Sequence, residues 1–254
     1  LPLRVRAVVL TETDRQGFEK RKVLHVLDYW RNLDARYFYA ILERHSRAYD
    51  VAFCLLDEGP GGPWTGGRFG GHVVTLGARR RLQYPAATIR LAARLRRDGH
   101  SLVHAHFFYP TFVAILAGRL AGVPVVFTRH HSDHNIRLHK PWHVRIDGWC
   151  ARAASQVIAV SWATKKLMVA VEHVPEDQVS VIHNGMDLLP PPSSQDIERV
   201  RAELAPGTSR ICLMIARLHE EKGHRVLFEA IPGIVARGPC SLLARRRWTA
   251  PTRY

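Results

Sequence analysis

The chain has 254 residues, and 37 Lys+Arg stand against 22 Asp+Glu, a net charge of +15. No run of about 18 uncharged apolar residues exists, the longest being Phe107 to Leu116, so no membrane-spanning helix is expected. The segment from Leu1 to Lys22 carries Glu12, Asp14 and Glu19 and lacks the apolar core of a signal peptide, so a cytoplasmic location is the default expectation. Cys54, Cys150, Cys212 and Cys240 are far apart and form no C-x-x-C pair, which argues against a disulfide framework or a zinc knuckle. The charge favours anionic partners such as phosphates, nucleic acid or an acidic membrane face. Much of it sits in Arg79-Arg80-Arg81 with Arg90, Arg94, Arg96 and Arg97, and in a tail holding Arg245, Arg246, Arg247 and Arg253. An arginine-rich solvated surface would give the same pattern.

In chain order, Lys22–Leu27 reads as a buried strand, Ala35–Arg47 as a helix and Val51–Leu56 as a second strand. Gly59–Gly71 is a Gly-rich loop with Pro60 and Pro63, and Val73–Leu76 is a third strand. Pro85–Asp98 is an amphipathic basic helix ending at Gly99, whose Ile89, Leu91 and Leu95 are expected to pack on the sheet. Leu102–Phe107 is a strand, Thr111–Leu120 a helix, Val125–Thr128 a strand and Val144–Ala154 a helix. Val157–Val160 is a strand, Ser161 caps the next helix, and a turn at Pro175–Asp177 leads to the strand Val179–His183. Short apolar strands alternating with helices predict βαβ units and a parallel sheet covered on both faces.

Leu188–Ser194 (LLPPPSS) is a stiff, extended break. Residues 1–187 are therefore expected to form one domain, and 188–208 a linker with a short helix at Ile197–Leu204. Residues 209–238 should form the first strand, Ile211–Ile215, and the first helix, Arg225–Ala236, of another domain. Residues 239–254 read as an aberrant tail with no strand to pair with Ile211.

Three segments carry the functional reading: Leu102-Val103-His104-Ala105-His106-Phe107; Val181-Ile182-His183-Asn184-Gly185-Met186-Asp187; and Ala216-Arg217-Leu218 followed by Glu221-Lys222-Gly223. In this order, over roughly residues 20 to 238, the chain resembles the family-4 retaining glycosyltransferases of the GT-B fold. The resemblance implies an α/β protein with a whole N-terminal Rossmann-like domain on the acceptor side and only the start of a second, donor-binding Rossmann-like domain. It implies a nucleotide-sugar donor, a glycan or lipid-linked acceptor, and transfer without a metal cofactor.

The third segment also makes sense by itself. A departing nucleoside diphosphate concentrates negative charge, which a fixed guanidinium and ammonium stabilise. Arg217 leaves a strand end and Lys222 precedes a helix whose N-terminal amides suit phosphate. Gly223 lets the backbone come close. By resemblance, Arg217 and Lys222 hold the donor diphosphate, and Asn184-Gly185 faces the cleft near the linker; a simple Asn-Gly turn is the alternative.

His104 and His106 alternate, so they share one face at the carboxyl end of a parallel strand, where open α/β sheets place their sites. Thr128-Arg129-His130-His131-Ser132-Asp133-His134 resembles the acceptor-side segment of the family. Its His and Asp residues also raise a zinc reading, against which no second ligand group of good spacing stands nearby. The expected catalytic residues are His104, His106 and His130; those for the donor are Arg217, Lys222, Gly223, Asn184 and Gly185.

Two departures from the family stand out. The loop after the first strand, Asp28-Tyr29-Trp30-Arg31-Asn32-Leu33, lacks the family's glycine pair, which narrows that wall. The second domain, about 150 residues in the family, is represented only by its opening, so truncation or a frameshift and impaired turnover are expected. One codon choice for Arg245–Ala250, CGC-CGG-CGA-TGG-ACC-GCC, reads Ala-Gly-Asp-Gly-Pro when shifted by one base, as relatives read there. The competing expectation is a non-catalytic remnant or basic module on an anionic surface such as a membrane. No nucleic-acid motif supports a specific nucleic-acid partner, and no G-x-G-x-x-G follows a strand to support a dinucleotide enzyme.

Overall fold

The computed structural model describes residues 20–28, 43–57, 73–130, 141–185, 190–204, 210–216, 218–238 and 241–246. The chain divides into two compact units, residues 1–187 and 188–254.

The first unit is built on seven parallel strands: β1 (Lys22–Leu27), β2 (Asp50–Leu55), β3 (Val73–Thr75), β4 (Leu102–His106), β5 (Val125–Arg129), β6 (Gln156–Ala159) and β7 (Val179–Val181). Their spatial order is β3-β2-β1-β4-β5-β6-β7. The order reverses between β1 and β4, which makes that seam the topological switch point.

Alternation along each strand gives the sheet two different faces. One face carries Leu24, Val26, Cys54, Val103, Ala105, Val125, Phe127, Val157 and Ala159. Helices Tyr84–Asp98, Phe108–Ala121, Pro141–Ala153 and Trp162–Ala170 bury apolar residues in the same cluster, among them Leu91, Leu95, Ile115 and Met168. In the first of these helices Ala87, Thr88, Leu91, Ala92 and Leu95 form the buried stripe, ending at Gly99, which takes φ 68. Ile89 lies off that stripe and is 65% exposed, which corrects the expectation that it packs on the sheet. Ser161 caps the helix Trp162–Ala170 as expected, its Oγ accepting from Thr164 N at 3.1 Å.

The same face ends in a buried ion cluster. Arg129 follows Phe127 by two residues, so its side chain enters the apolar side, where Nη1 lies 2.6 Å from Asp147 Oδ2 and Nη2 meets Glu172. Burial pushes the Glu172 carboxyl up to about 7, although Arg129 draws it the other way. Arg152 donates to the Glu172 carbonyl at 2.6 Å.

The second unit contains helix Ser194–Leu204, β8 (Ile211–Ala216), helix His224–Val235 and β9 (Ser241–Arg246). The helix Ser194–Leu204 starts earlier than expected because Ser193 Oγ accepts from Asp196 N at 3.1 Å. β9 runs parallel to β8, from Ile211↔Ser241 to Ala216↔Arg246. This corrects the reading of 239–254 as a tail with no partner for Ile211. Leu242-Leu243-Ala244 is an apolar run too short to show a period, and a parallel ladder is recruited across a helix rather than locally. Among the described residues of this unit Leu213, Ile215, Val226 and Phe228 are all exposed.

No helix of the described residues is long and apolar enough to cross a membrane. The expected loop at 59–71, most of the expected helix at 35–47, the loop beyond Asp28, and residues 247–254 lie outside the described residues.

Candidate functional site

The second face of the sheet is where the polar chemistry gathers. Register puts His25 of β1 directly beside His104 of β4 and Phe53 of β2, and His106 beside Thr128 of β5. His25 and His106 are buried at 0% and 4% exposure. His25 Nδ1 lies 3.0 Å from His106 Nε2, and His106 Nδ1 lies 3.3 Å from His130 Nε2 just beyond β5. His104 Nε2 lies 2.8 Å from Thr128 Oγ1. The rings of His25 and His106 stack with an interplanar angle of 10°, and His104 sits 4.2 Å from His106 centroid to centroid. Helical residues 43–48 add His45, whose ring lies 5.8 Å from that of His25.

The rings of His25, His104 and His106 are held in the neutral form. Burial holds His25 and His106 well below the ordinary 6.5 and takes His104 down to about 3, and the neighbouring imidazoles push the same way. Each neutral ring carries one proton on two nitrogens. A continuous line therefore runs from His25 through His106 to His130, with its protons oriented one way or the other.

The structure thus brings the predicted His104, His106 and His130 together. It also adds His25 and His45. A signal for His25 was present: it is the single polar residue between the first and last positions of the buried run Lys22–Leu27.

Backbone geometry marks the same spot. Phe107 joins β4 to the next helix at φ 67 and ψ 175, a region nearly restricted to glycine. Holding a phenylalanine there costs on the order of 1–3 kcal/mol. The turn is secured by Thr111, whose Oγ1 and N both donate to the Phe107 carbonyl. The Phe107 ring stacks on His130, centroids 4.9 Å apart.

A second polar group lies at the carboxyl ends of β1 and β4. Asp28 follows β1, and burial raises its carboxyl to about 7. The Tyr84 phenol is raised to about 12 by burial first, then by Asp28 and Tyr109. Arg81 Nη2 donates to the Tyr109 hydroxyl, which lies 3.5 Å from His143 Nε2. The sequence marks Asp28 only as the start of a loop and Arg81 only as part of a basic cluster, whereas Tyr84, Tyr109 and His143 come from separate elements and belong to no motif.

Asn184 and Gly185 lie exposed after β7 in the first unit. Lys222 and Gly223 belong to the second unit. Lys222 is exposed and ends a short 3-10 turn, Glu220–Lys222. Gly223 takes φ 71 and is the N-cap of the 12-residue helix His224–Val235. A Cβ at Gly223 would meet nothing within 4 Å, so its φ, rather than close approach within the chain, is what calls for glycine. Arg217 and residues 131–134 lie outside the described residues.

The Glycosyltransferase Family 4 model matches residues 35–188, more than half of the chain. An alpha-maltose-1-phosphate synthase of Mycolicibacterium smegmatis is 30% identical over 141 residues, covering 50% of this chain and 35% of that protein. An uncharacterized glycosyltransferase of Methanocaldococcus jannaschii is 26% identical over 164 residues, covering 58% and 40% respectively. The chain thus spans well under half the length of these curated relatives. Among solved structures, Anabaena HepE in complex with UDP and glucose superposes with a TM-score of 0.68 at 18% identity, covering 89% of this chain and 60% of that one. The lipopolysaccharide outer core galactosyltransferase WaaB superposes with a TM-score of 0.58 at 15% identity. The α/β fold, with its seven parallel strands, is of the GT-B type. The chain belongs to glycosyltransferase family 4.

Proposed function

We propose that the chain serves in moving a sugar from a nucleotide-diphosphate sugar to a glycan, lipid or small-molecule acceptor, with retention of anomeric configuration. The observation that carries this reading is the family match over residues 35–188. The gathering of polar side chains at the carboxyl edge of the switch point supports it. In this reading the acceptor binds the first unit beside His130 and the Asp28–Tyr84–Tyr109 group. His106 lies beneath and positions His130, and His104, held by Thr128, packs against His106. The donor diphosphate is held by Lys222, Arg217 and the amides that follow Gly223 in the second unit, and Asn184 and Gly185 are the donor-binding residues of the first unit. These cations and amides stabilise the leaving charge without a metal at the phosphates. The leaving phosphate itself takes the acceptor proton.

Titration of the purified chain with UDP and other nucleoside diphosphates tests the donor half. Binding is expected, and Lys222→Ala should weaken it about tenfold, the loss of one charge-assisted contact. Equal affinity in the variant would remove Lys222 from the donor site, and no binding of any nucleoside diphosphate would overturn the donor assignment. Anomeric NMR of product formed from a labelled nucleotide-sugar panel tests retention: an inverted product refutes it.

A second reading has its own observation. Leu82 is 91% exposed and Ile89 65% exposed, among Arg81, Arg90, Arg94 and Arg97. This surface suits peripheral contact with an anionic membrane. Cosedimentation with anionic vesicles that falls steeply with salt supports it; equal recovery with neutral vesicles contradicts it.

A further inference from the structure

The histidine face holds more converging nitrogen than transfer requires. His25, His104 and His106 each offer one ring nitrogen, and the three ligand atoms lie within 4.8 Å of one another. Two nitrogens of a tetrahedral ion with Zn–N bonds of about 2.0–2.1 Å stand about 3.4 Å apart. The 3.0 Å between His25 Nδ1 and His106 Nε2 is within a few tenths of that spacing. The three rings project from adjacent strands in fixed register, so the group is preformed on rigid elements.

Neighbouring groups already orient two of the rings. Thr128 Oγ1 holds His104 Nε2 at 2.8 Å, which leaves Nδ1 as the ligand atom. His130 Nε2 lies 3.3 Å from His106 Nδ1, which leaves Nε2. Outer partners of this kind set the tautomer of a metal-bound imidazole.

We propose that His25, His104 and His106 form a binding site for one Zn2+-class transition-metal ion, with water or His45 in the fourth position. Three imidazole nitrogens without a carboxylate suit Zn2+ rather than Mg2+ or Ca2+. Bound there, the ion fixes the His106 tautomer with Nδ1–H donated to His130, and so presets the ring at the outer edge of the cluster. The site uses none of the residues assigned to the donor phosphates, so its failure would leave the transfer reading standing.

The test uses the full chain, stripped with chelator and then given equimolar Zn2+. After gel filtration, elemental analysis should find one zinc per chain. Co2+ in its place should give the strong visible absorption of a tetrahedral nitrogen site. Zinc in hundredfold excess over its Kd should raise Tm by about 5 °C or more. His25→Gln and His104→Gln should each lose the stoichiometric zinc, whereas His173→Gln and His183→Gln, outside the cluster, should keep it. No retained zinc in the folded parent overturns the site, as does full retention in His25→Gln and His104→Gln. Because the Co2+ spectrum is read on the parent alone, an octahedral spectrum there overturns it even if the variants misfold.

Discussion

The two faces of the seven-stranded sheet are made of the same strands and bury different chemistry. One buries hydrocarbon against four helices and closes with the Arg129–Asp147–Glu172 cluster. The other buries His25 and His106, with His104 half-buried between them, beside the small apolar cluster of Leu27, Phe53 and Leu55. Hydrocarbon burial contributes stability roughly in proportion to area. A buried neutral imidazole gives up hydration and regains it only through its partners. Stability therefore concentrates on the first face, and the second is the one arranged for chemistry.

That contrast can be broken from either side by substitution and equilibrium urea unfolding. The largest expected effect is Arg129→Met, which leaves two buried carboxylates without their counter-charge and should cost about 3–5 kcal/mol. A cost below about 1 kcal/mol would mean that solvent reaches the cluster. Leu91→Ala, at a fully buried position of the helical layer, should cost about 3 kcal/mol through lost transfer energy and a cavity. A near-neutral result there would remove the claim that this face carries the stability.

A subtler effect comes from pH. The folded-state pKa of Glu172, about 7, lies above the ordinary value of 4.5. The folded state therefore favours the protonated acid, and this contribution is present in full below about 4.5 and lost as pH rises to about 7. Relative to Glu172→Gln, the parent should lose stability across that window, as measured by unfolding at each pH. Parallel curves would show that Arg129 fully offsets the burial.

Much of this architecture is legible in the sequence, and the misses have physical causes. Apolar runs such as Val51–Leu56 and Val157–Val160 announce buried strands, and Gly99 announces a helix end. Helix starts are less visible. The helix expected from Thr111 begins at Phe108 and the one expected from Val144 begins at Pro141, because proline is tolerated in the first turn, where amides have no helical partner. β9 was missed because its partner lies across a helix. At the site, the H-x-H spacing revealed His104 and His106 as a pair on one face. Their union with His25 depends on which strands become neighbours, and no local pattern encodes that. The group of Asp28, Arg81, Tyr84, Tyr109 and His143 depends on loop and helix ends meeting at one edge.

The most direct test of the central claim replaces the imidazole face by hydrocarbon. The triple variant His25→Leu, His104→Val, His106→Leu is compared with the parent by urea unfolding in chelator-treated buffer. If these rings are kept for chemistry, the variant should unfold within about 1 kcal/mol of the parent or above it, because buried polar partners are removed together. A loss of more than about 3 kcal/mol would contradict the account, since it would make the histidine cluster a structural core rather than the working face of the sheet.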